Sequence, residues 1–376
     1  MASGLRQPDR RYHSVRGGVD HLRTPTEHPT STNRYREQIP VISQRRIAVV
    51  GAGSWGTALA VIAARAGHDV RVWSRDAMVV ERINKSRINP RYLSTTAIPD
   101  QILATADLRD AVVEASMVLL AVPSHAAREV LTSMQPHVSS FSIVVSVTKG
   151  IEIETGLRIS ELVYQLLGES FKDRFVCLSG PSFAKEVVEA HPTAIVAASS
   201  NLDAAQEVQT AFSFDNLRIY TNSDVVGTEL CGSIKNVMAI AAGMTSGLGL
   251  GSNSVAALIT RGLAEMTRLV LKCGGQFETM VGLAGLGDLV LTCTGNLSRN
   301  RYVGEELGKG RRLDEITAAM NEVAEGIKTS RAVKRLAEEA GVEMPITNEV
   351  VAVLYEGKSA RAAVTELMSR PLRSEQ

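Results

Sequence analysis

Four apolar residues, Ile47-Ala48-Val49-Val50, run straight into Gly51-Ala52-Gly53-Ser54-Trp55-Gly56 and then into the helix-favouring stretch 57–64. A buried strand, a glycine turn and a helix in that order constrain the fold more than any other feature of the chain. Gly51 permits a tight turn, Gly53 lets bare backbone approach a pyrophosphate, and Gly56 lets the helix pack close to the strand. The helix N-terminus would then offer free N–H groups and a partial positive charge to the anion. A purely structural turn is the other use such glycines have. The next strand, 69–73, ends at Ser74-Arg75, where an NAD-preferring site carries an acid on the ribose hydroxyls. Arg75 could pair with a 2′-phosphate, which favours NADP(H); Asp76 just beyond keeps NAD(H) open, and Arg75 also fits a solvated surface cation.

With 376 residues the chain has length for two domains and a core in each. The net charge is +1, but residues 1–46 hold nine Arg, no Lys and four acids, so the remainder carries 32 basic against 36 acidic groups. No broad cationic face follows, and nucleic acid is not an expected partner. Cys177, Cys231, Cys273 and Cys293 are too far apart for a CxxC pair, which fits reduced cytoplasmic thiols; neither they nor the scattered histidines show metal-ligand spacing. His125, after Pro123-Ser124 at a strand end, is the one histidine near an expected ligand crevice. No apolar run approaches the roughly 18 residues of a membrane span. The leader has Arg and Ser as a transit peptide does. Its acids, its turns such as Arg16-Gly17-Gly18 and its lack of amphipathic period instead predict a flexible extension over 1–44, outside the fold.

Strand-like runs recur at 70–73, 117–122, 143–147, 175–178, 193–198 and 217–220, separated by helical patterns at 77–84, 108–115, 126–134, 156–167 and 204–214. This alternation predicts a Rossmann-like α/β fold, a mainly parallel doubly wound sheet, over 45–222, with crossover connections that require parallel neighbours. Beyond residue 222 the β-alternation gives way to helical periodicity at 225–242, 255–273, 301–307, 313–320, 327–340, 348–355 and 360–368. An all-helical C-terminal domain over 223–370 is therefore expected, with substrate in the cleft between the two.

Candidate chemistry sits in three places. Thr148-Lys149-Gly150 follows the strand 143–147, so Lys149 lies outside a carboxyl edge of the sheet. Lys235 falls within an otherwise apolar helix beside Asn236, where desolvation or a neighbouring cation would lower its pKa; a packed stem with its amine in water is the plainer reading. Asp288 is the sole acid of an apolar, glycine-rich stretch and calls for a lysine or a set of donors. After it, Ser298-Arg299-Asn300 precedes a helix and could bind a phosphate, or serve as a plain N-cap.

Taken in order, Gly51-Ala-Gly-Ser-Trp-Gly56, Ala121-Val-Pro-Ser-His125, Thr148-Lys-Gly150, Ser179-Gly-Pro-Ser-Phe-Ala184, Ser233-Ile-Lys-Asn-Val237, Ile259-Thr-Arg-Gly262, Ala284-Gly-Leu-Gly-Asp288 and Ser298-Arg-Asn300 resemble bacterial NAD(P)-dependent glycerol-3-phosphate dehydrogenases over residues 46–368. The resemblance implies interconversion of dihydroxyacetone phosphate and sn-glycerol 3-phosphate for glycerophospholipid synthesis. It implies NAD(P)(H) as cofactor, with no metal. Lys235 would accept the proton in alcohol oxidation, Lys149 would touch cofactor and substrate, and Asp288 would hold the substrate's hydroxyl region and orient Lys235, all three touching substrate. Gly180, Ser182, Asn236, Ser298, Arg299 and Asn300 match substrate positions. Gly51, Gly53, Ser54, Trp55, Gly56, Arg75, Lys149, Ala184, Arg299, Val323 and Glu325 match cofactor positions. The expected setting is cytoplasmic, with a small-molecule substrate and a homodimer as the candidate assembly.

Relatives often carry an Asp and a basic residue where this chain has Ser246 and Val255, so the glycine-rich segment 246–254 is expected to close differently. Two other readings compete: a 3-hydroxyacid or phosphogluconate-type dehydrogenase, and a non-catalytic NADP(H)-sensing protein. The second has no need of Lys149, Lys235, Asp288 and Arg299 together.

Overall fold

The computed structural model describes residues 1, 43–214, 216–320, 324–372 and 374. The extension expected over 1–44 falls almost wholly outside these residues, as does Val323. The chain runs β1 (Arg46–Val50), α1 (Ser54–Arg65), β2 (Asp69–Trp73), α2 (Ala77–Ser86), β3 (Ile102–Thr105), α3 (Leu108–Val112), β4 (Met117–Leu120), α4 (Ala127–Met134), β5 (Ile143–Ser146), α5 (Ile159–Leu167), β6 (Phe175–Ser179), α6 (Ala184–Val188), β7 (Thr193–Ala198), α7 (Leu202–Phe212) and β8 (Leu217–Asn222). The strands form one sheet in the order β3-β2-β1-β4-β5-β6-β7-β8. Side chains of β1 alternate between two cores: Ile47 and Val49 join one, Ala48 and Val50 the other. That is why the run reads as continuously apolar, and the doubly wound, mainly parallel sheet is as expected.

Two features differ from the sequence reading. Strand β3 escapes it because only four residues, alternately buried and exposed, line an edge beside β2. And β7 runs antiparallel to β6, although β8 is again parallel to β7. The β6–β7 connection contains the short helix α6, which packs back on α1, where Arg65 donates to the Val188 carbonyl at 3.2 Å. The connection therefore returns along the sheet without making a full crossover.

The helical part comprises α8 (Val225–Gly247), α9 (Ser252–Lys272), α10 (Phe277–Val281), a π-turn (Leu283–Gly287), α11 (Asp288–Thr294), α12 (Arg299–Gly308), α13 (Leu313–Ala318), α14 (Glu325–Glu339), α15 (Pro345–Tyr355) and α16 (Ala360–Met368). Helix α8 is its axis and runs five residues beyond the expected end. A Cβ on Gly243 would lie 2.0 Å from the Arg301 carbonyl oxygen and one on Gly304 1.9 Å from that of Ile240, so α8 and α12 touch backbone to backbone. This contact brings Asn236 to Asn300.

The expectation that no apolar run approaches a membrane span is corrected by α8, which at 23 residues has the length and hydropathy of one. Its candidate window is 94% buried inside the protein, which marks it as a core helix. The segment 246–254 is also shorter as a loop than expected: α8 extends through Gly247 and α9 begins at Ser252, with Val255 in its first turn. Ser246 caps nothing in a ligand site; its hydroxyl donates to the Ala242 carbonyl at 3.1 Å.

Candidate active site

The strand order reverses between β1 and β4, and a ligand crevice belongs outside the carboxyl ends of strands at such a point. A cleft of about 770 Å³ opens there, lined from the sheet side by the 51–56 turn, Arg75 and Lys149, and from the helical side by Lys235, Asp288 and Arg299. The glycine turn fits a dinucleotide. Gly51 has φ +119°, and a Cβ there would sit 2.5 Å from the Ala121 carbonyl oxygen. Gly53 has open space where a side chain would be, and as the N-cap it brings no side-chain oxygen to the start of α1, a terminus suited to an anion. Ser54, Trp55 and Ala184 line the same cleft.

Across the cleft floor, Lys149 and Lys235 converge on Asp288. Lys149 Nζ donates to Asp288 Oδ2 at 2.8 Å, and Lys235 Nζ donates to Oδ1 in a short ion pair. Lys235 also donates to Thr292 Oγ1 at 2.8 Å, and the Thr292 hydroxyl donates to the Asp288 carbonyl at 2.6 Å. The side chains of Lys235 and Asp288 are 6% and 1% exposed, so this is the buried lysine of the sharper sequence reading. Burial pulls the Lys235 amine down to about 7; Asp288 pulls it up, and the nearby Lys149 ammonium pulls it down. Burial alone would raise the Asp288 carboxyl, but the two ammonium groups outweigh it and hold the acid below its ordinary value. The cluster thus carries a net positive charge beside an amine that exchanges its proton near neutrality.

The phosphate end lies at the start of α12. Ser298, Arg299 and Asn300 all line the cleft. Ser298 is the N-cap, its Oγ accepting from the Arg301 N–H at 3.2 Å, so the plain reading holds for its oxygen while the hydroxyl proton remains to donate. Asn300 is a strut: its amide donates to Asn236 Oδ1 at 3.0 Å and its oxygen accepts from the Gly326 N–H at 2.9 Å, tying α12 to α8 and α14. One amide N–H is left over. Glu325, at the start of α14, accepts from the Ser124 hydroxyl at 3.2 Å, and burial raises its carboxyl.

Not every expected residue faces the cleft. Gly180 is buried beneath it, where a Cβ would meet Ile195 Cα at 3.0 Å, and its carbonyl accepts from the Ser182 hydroxyl at 3.1 Å. Ser182 itself lines the cleft. His125 is on the wall, its pKa lowered by burial and then by Lys328 and Arg75. Thr292 and the segment 91–95 also line the cleft and were missed. The i, i+4 spacing of Asp288 and Thr292 on one helix face was the available signal for the first.

Both halves of the chain are similar to known proteins. Residues 46–205 match the N-terminal and 224–365 the C-terminal part of the NAD-dependent glycerol-3-phosphate dehydrogenase family. A glycerol-3-phosphate dehydrogenase [NAD(P)+] of Koribacter versatilis is 55% identical over 332 residues, covering 88% of this chain and 98% of the relative. One from Citrifermentans bemidjiense is 50% identical over 330 residues, covering 88% and 98%. The crystal structure of glycerol-3-phosphate dehydrogenase from Coxiella burnetii, 42% identical, superposes with a TM-score of 0.83 over 87% of this chain and 99% of that one. With both halves of the family pattern matched on either side of a dinucleotide cleft, the chain belongs to the NAD(P)-dependent glycerol-3-phosphate dehydrogenase family.

Proposed function

We propose that the chain interconverts dihydroxyacetone phosphate and sn-glycerol 3-phosphate with NAD(P)(H), supplying glycerol 3-phosphate for glycerophospholipid synthesis in the cytoplasm. The observation that carries this reading is the buried Lys235–Asp288–Lys149 cluster facing the same cleft as the pyrophosphate turn. The 45–222 half would hold the dinucleotide and the 223–370 half the substrate, with a homodimer as the working assembly.

The nicotinamide, when bound, supplies or takes up the hydride; the chain's own residues do the rest. Arg299, the remaining Asn300 amide N–H and the N-terminus of α12 receive the substrate phosphate. Ser182, its hydroxyl held by the Gly180 carbonyl beneath, shapes the opposite wall, and Asn236 holds Asn300 in place. In ketone reduction the protonated Lys235 amine donates to the developing alkoxide, and in alcohol oxidation the neutral amine accepts the hydroxyl proton. Lys149 adds a second positive charge, so the site favours the transition-state oxyanion over the neutral carbonyl. Asp288 aims both amines and keeps Lys235 protonatable near neutral pH. On the cofactor side Gly51, Gly53, Ser54, Trp55 and Gly56 cradle the phosphates, with Arg75, Ala184 and Glu325 along the rest of the cleft.

The test is absorbance at the reduced-nicotinamide band with dihydroxyacetone phosphate, set against 3-hydroxyacids and a phosphogluconate. Oxidation of reduced cofactor that depends on dihydroxyacetone phosphate is expected. Turnover of the acids instead would favour the hydroxyacid reading, and tight NADPH binding with no turnover the sensing one.

A further inference from the structure

The adenosine end of the cleft carries a second arginine that the sequence reading did not use. Asp76, the acid that kept NAD(H) open, is already engaged: its Oδ1 accepts from the N–H groups of Met78 and Val79 at 3.0 and 3.4 Å as the N-cap of α2. Its Oδ2 lies 3.5 Å from an Arg91 guanidinium nitrogen. Arg91 stands over the Tyr92 ring at 5.7 Å, and both line the cleft with Arg75. The segment that bears Arg91 is fastened to the pyrophosphate turn, because the buried Asn89 amide donates to the Ala52 carbonyl and to Thr57 Oγ1, both at 2.9 Å. Arg75 is exposed and, among the described residues, no ion pair holds it. Two guanidinium groups thus face an end of the cleft where Asp76, the one acid among the described residues lining it there, is already engaged by a helix terminus and by Arg91.

We propose that Arg91 is a specificity-determining residue which, together with Arg75, seats the 2′-phosphate of NADP(H) and makes this chain prefer it to NAD(H). This rests on the dehydrogenase reading above and extends it to the choice of cofactor. The recognition is charge-assisted: a 2′-phosphate dianion offers oxygens to two planar forks, whereas a 2′-hydroxyl in the same place meets two cations and no free carboxylate. Asp76 pre-orients Arg91 and is not itself the reader of the ribose.

The experiment is equilibrium titration of the full-length enzyme, without substrate, using nicotinamide fluorescence for NADPH and NADH and calorimetry for 2′,5′-ADP and 5′-ADP. Wild type is expected to bind NADPH and 2′,5′-ADP more tightly than their partners without the phosphate. Arg91→Ala is expected to weaken NADPH and 2′,5′-ADP by about tenfold or more, on the strength of a charged hydrogen bond, and to leave NADH and 5′-ADP within about twofold. Arg91→Lys keeps the charge without the fork and should recover part of the loss. Equal weakening of both members of each pair, or no weakening, overturns the proposal by reducing Arg91 to a partner of Asp76. Wild type that binds NADH as tightly as NADPH overturns it while leaving the dehydrogenase reading intact. Wild type that binds neither nicotinamide defeats both. Arg91 is about half exposed, so a thermal melt of Arg91→Ala matching wild type is expected and excludes misfolding.

Discussion

Lys149 and Lys235, one from beyond the carboxyl end of an interior strand and one from the middle of the core helix α8, place their amines on opposite oxygens of a single buried carboxylate, Asp288. Each member of this triad can be addressed by substitution or by pH.

Replacing Lys235 with Ala removes the group that carries the proton. Turnover is expected to fall by about a hundredfold or more, the usual scale of a positioned general acid, with Lys149→Ala also impaired. Steady-state kinetics with folding checked by circular dichroism decide it; near-normal turnover by Lys235→Ala would defeat the assignment.

The pH dependence has a definite sign. Reduction needs Lys235 protonated, so its kcat/KM is expected to decline as pH rises through about 7, whereas oxidation needs the neutral amine and should rise over the same range. Stability follows from the same group. Its folded pKa lies below the unfolded one, so the unfolded chain binds more protons between the two; the Lys235 contribution is unfavourable below about 7 and fades as pH climbs toward the ordinary lysine value. Lys235→Met should flatten that part of the profile of denaturant midpoints against pH.

Asp288→Asn takes the negative charge from between two amines. Lys235 then loses its upward pull, and the limb of the reduction profile should move to lower pH, with turnover at pH 7 reduced by about a hundredfold. A limb that stays where it is in wild type would show that Asp288 does not set the proton affinity of Lys235.

Gly53 and Gly56 should separate binding from folding. A Cβ on Gly56 would stand 2.1 Å from the Gly51 carbonyl oxygen, so Gly56→Ala is expected to cost about 1–3 kcal/mol of stability. A Cβ on Gly53 meets nothing within 4 Å, so Gly53→Ala should stay within about 1 kcal/mol of wild type yet weaken nucleotide binding. Urea denaturation and fluorescence titration of the two variants test the contrast.

Glu265 on α9 does not line the cleft and offers a control. It is buried and accepts from the Ile346 N–H at 2.6 Å at the start of α15; burial raises its pKa to about 7. The folded state therefore binds more protons than the unfolded one between the ordinary glutamate value and about 7, and stability should decline as pH rises through that window. Glu265→Gln, uncharged throughout, is expected to gain on wild type by about 1–3 kcal/mol between pH 5 and 8, read from thermal melts at both pH values.

Much of this was legible in the chain because it is local. The β1–turn–α1 unit spans few residues, with Gly56 set against the Gly51 carbonyl inside it, and Lys235 stood out because a charge interrupted an apolar period. What lay hidden was non-local. Lys149 and Asp288 are 139 residues apart, and nothing in either segment names the other as its partner. The antiparallel turn of β7 depends on how α6 packs on α1. Strand β3 shows only two buried positions, too few for a period. Helix α11 was obscured because its residues read as an apolar run with no cap, so Thr292 was not placed on the face of Asp288. Arg91 sits in a segment without regular structure, where only the fold shows that Asn89 ties it to the pyrophosphate turn.

The bridge from Lys149 to Asp288 joins a residue just past β5 to the first residue of α11, and so fastens together the two walls between which ligands must pass. Any wide parting of those walls has to release this latch first. The carboxylate that aims the proton carrier is thus also the tie between the two sides of the site.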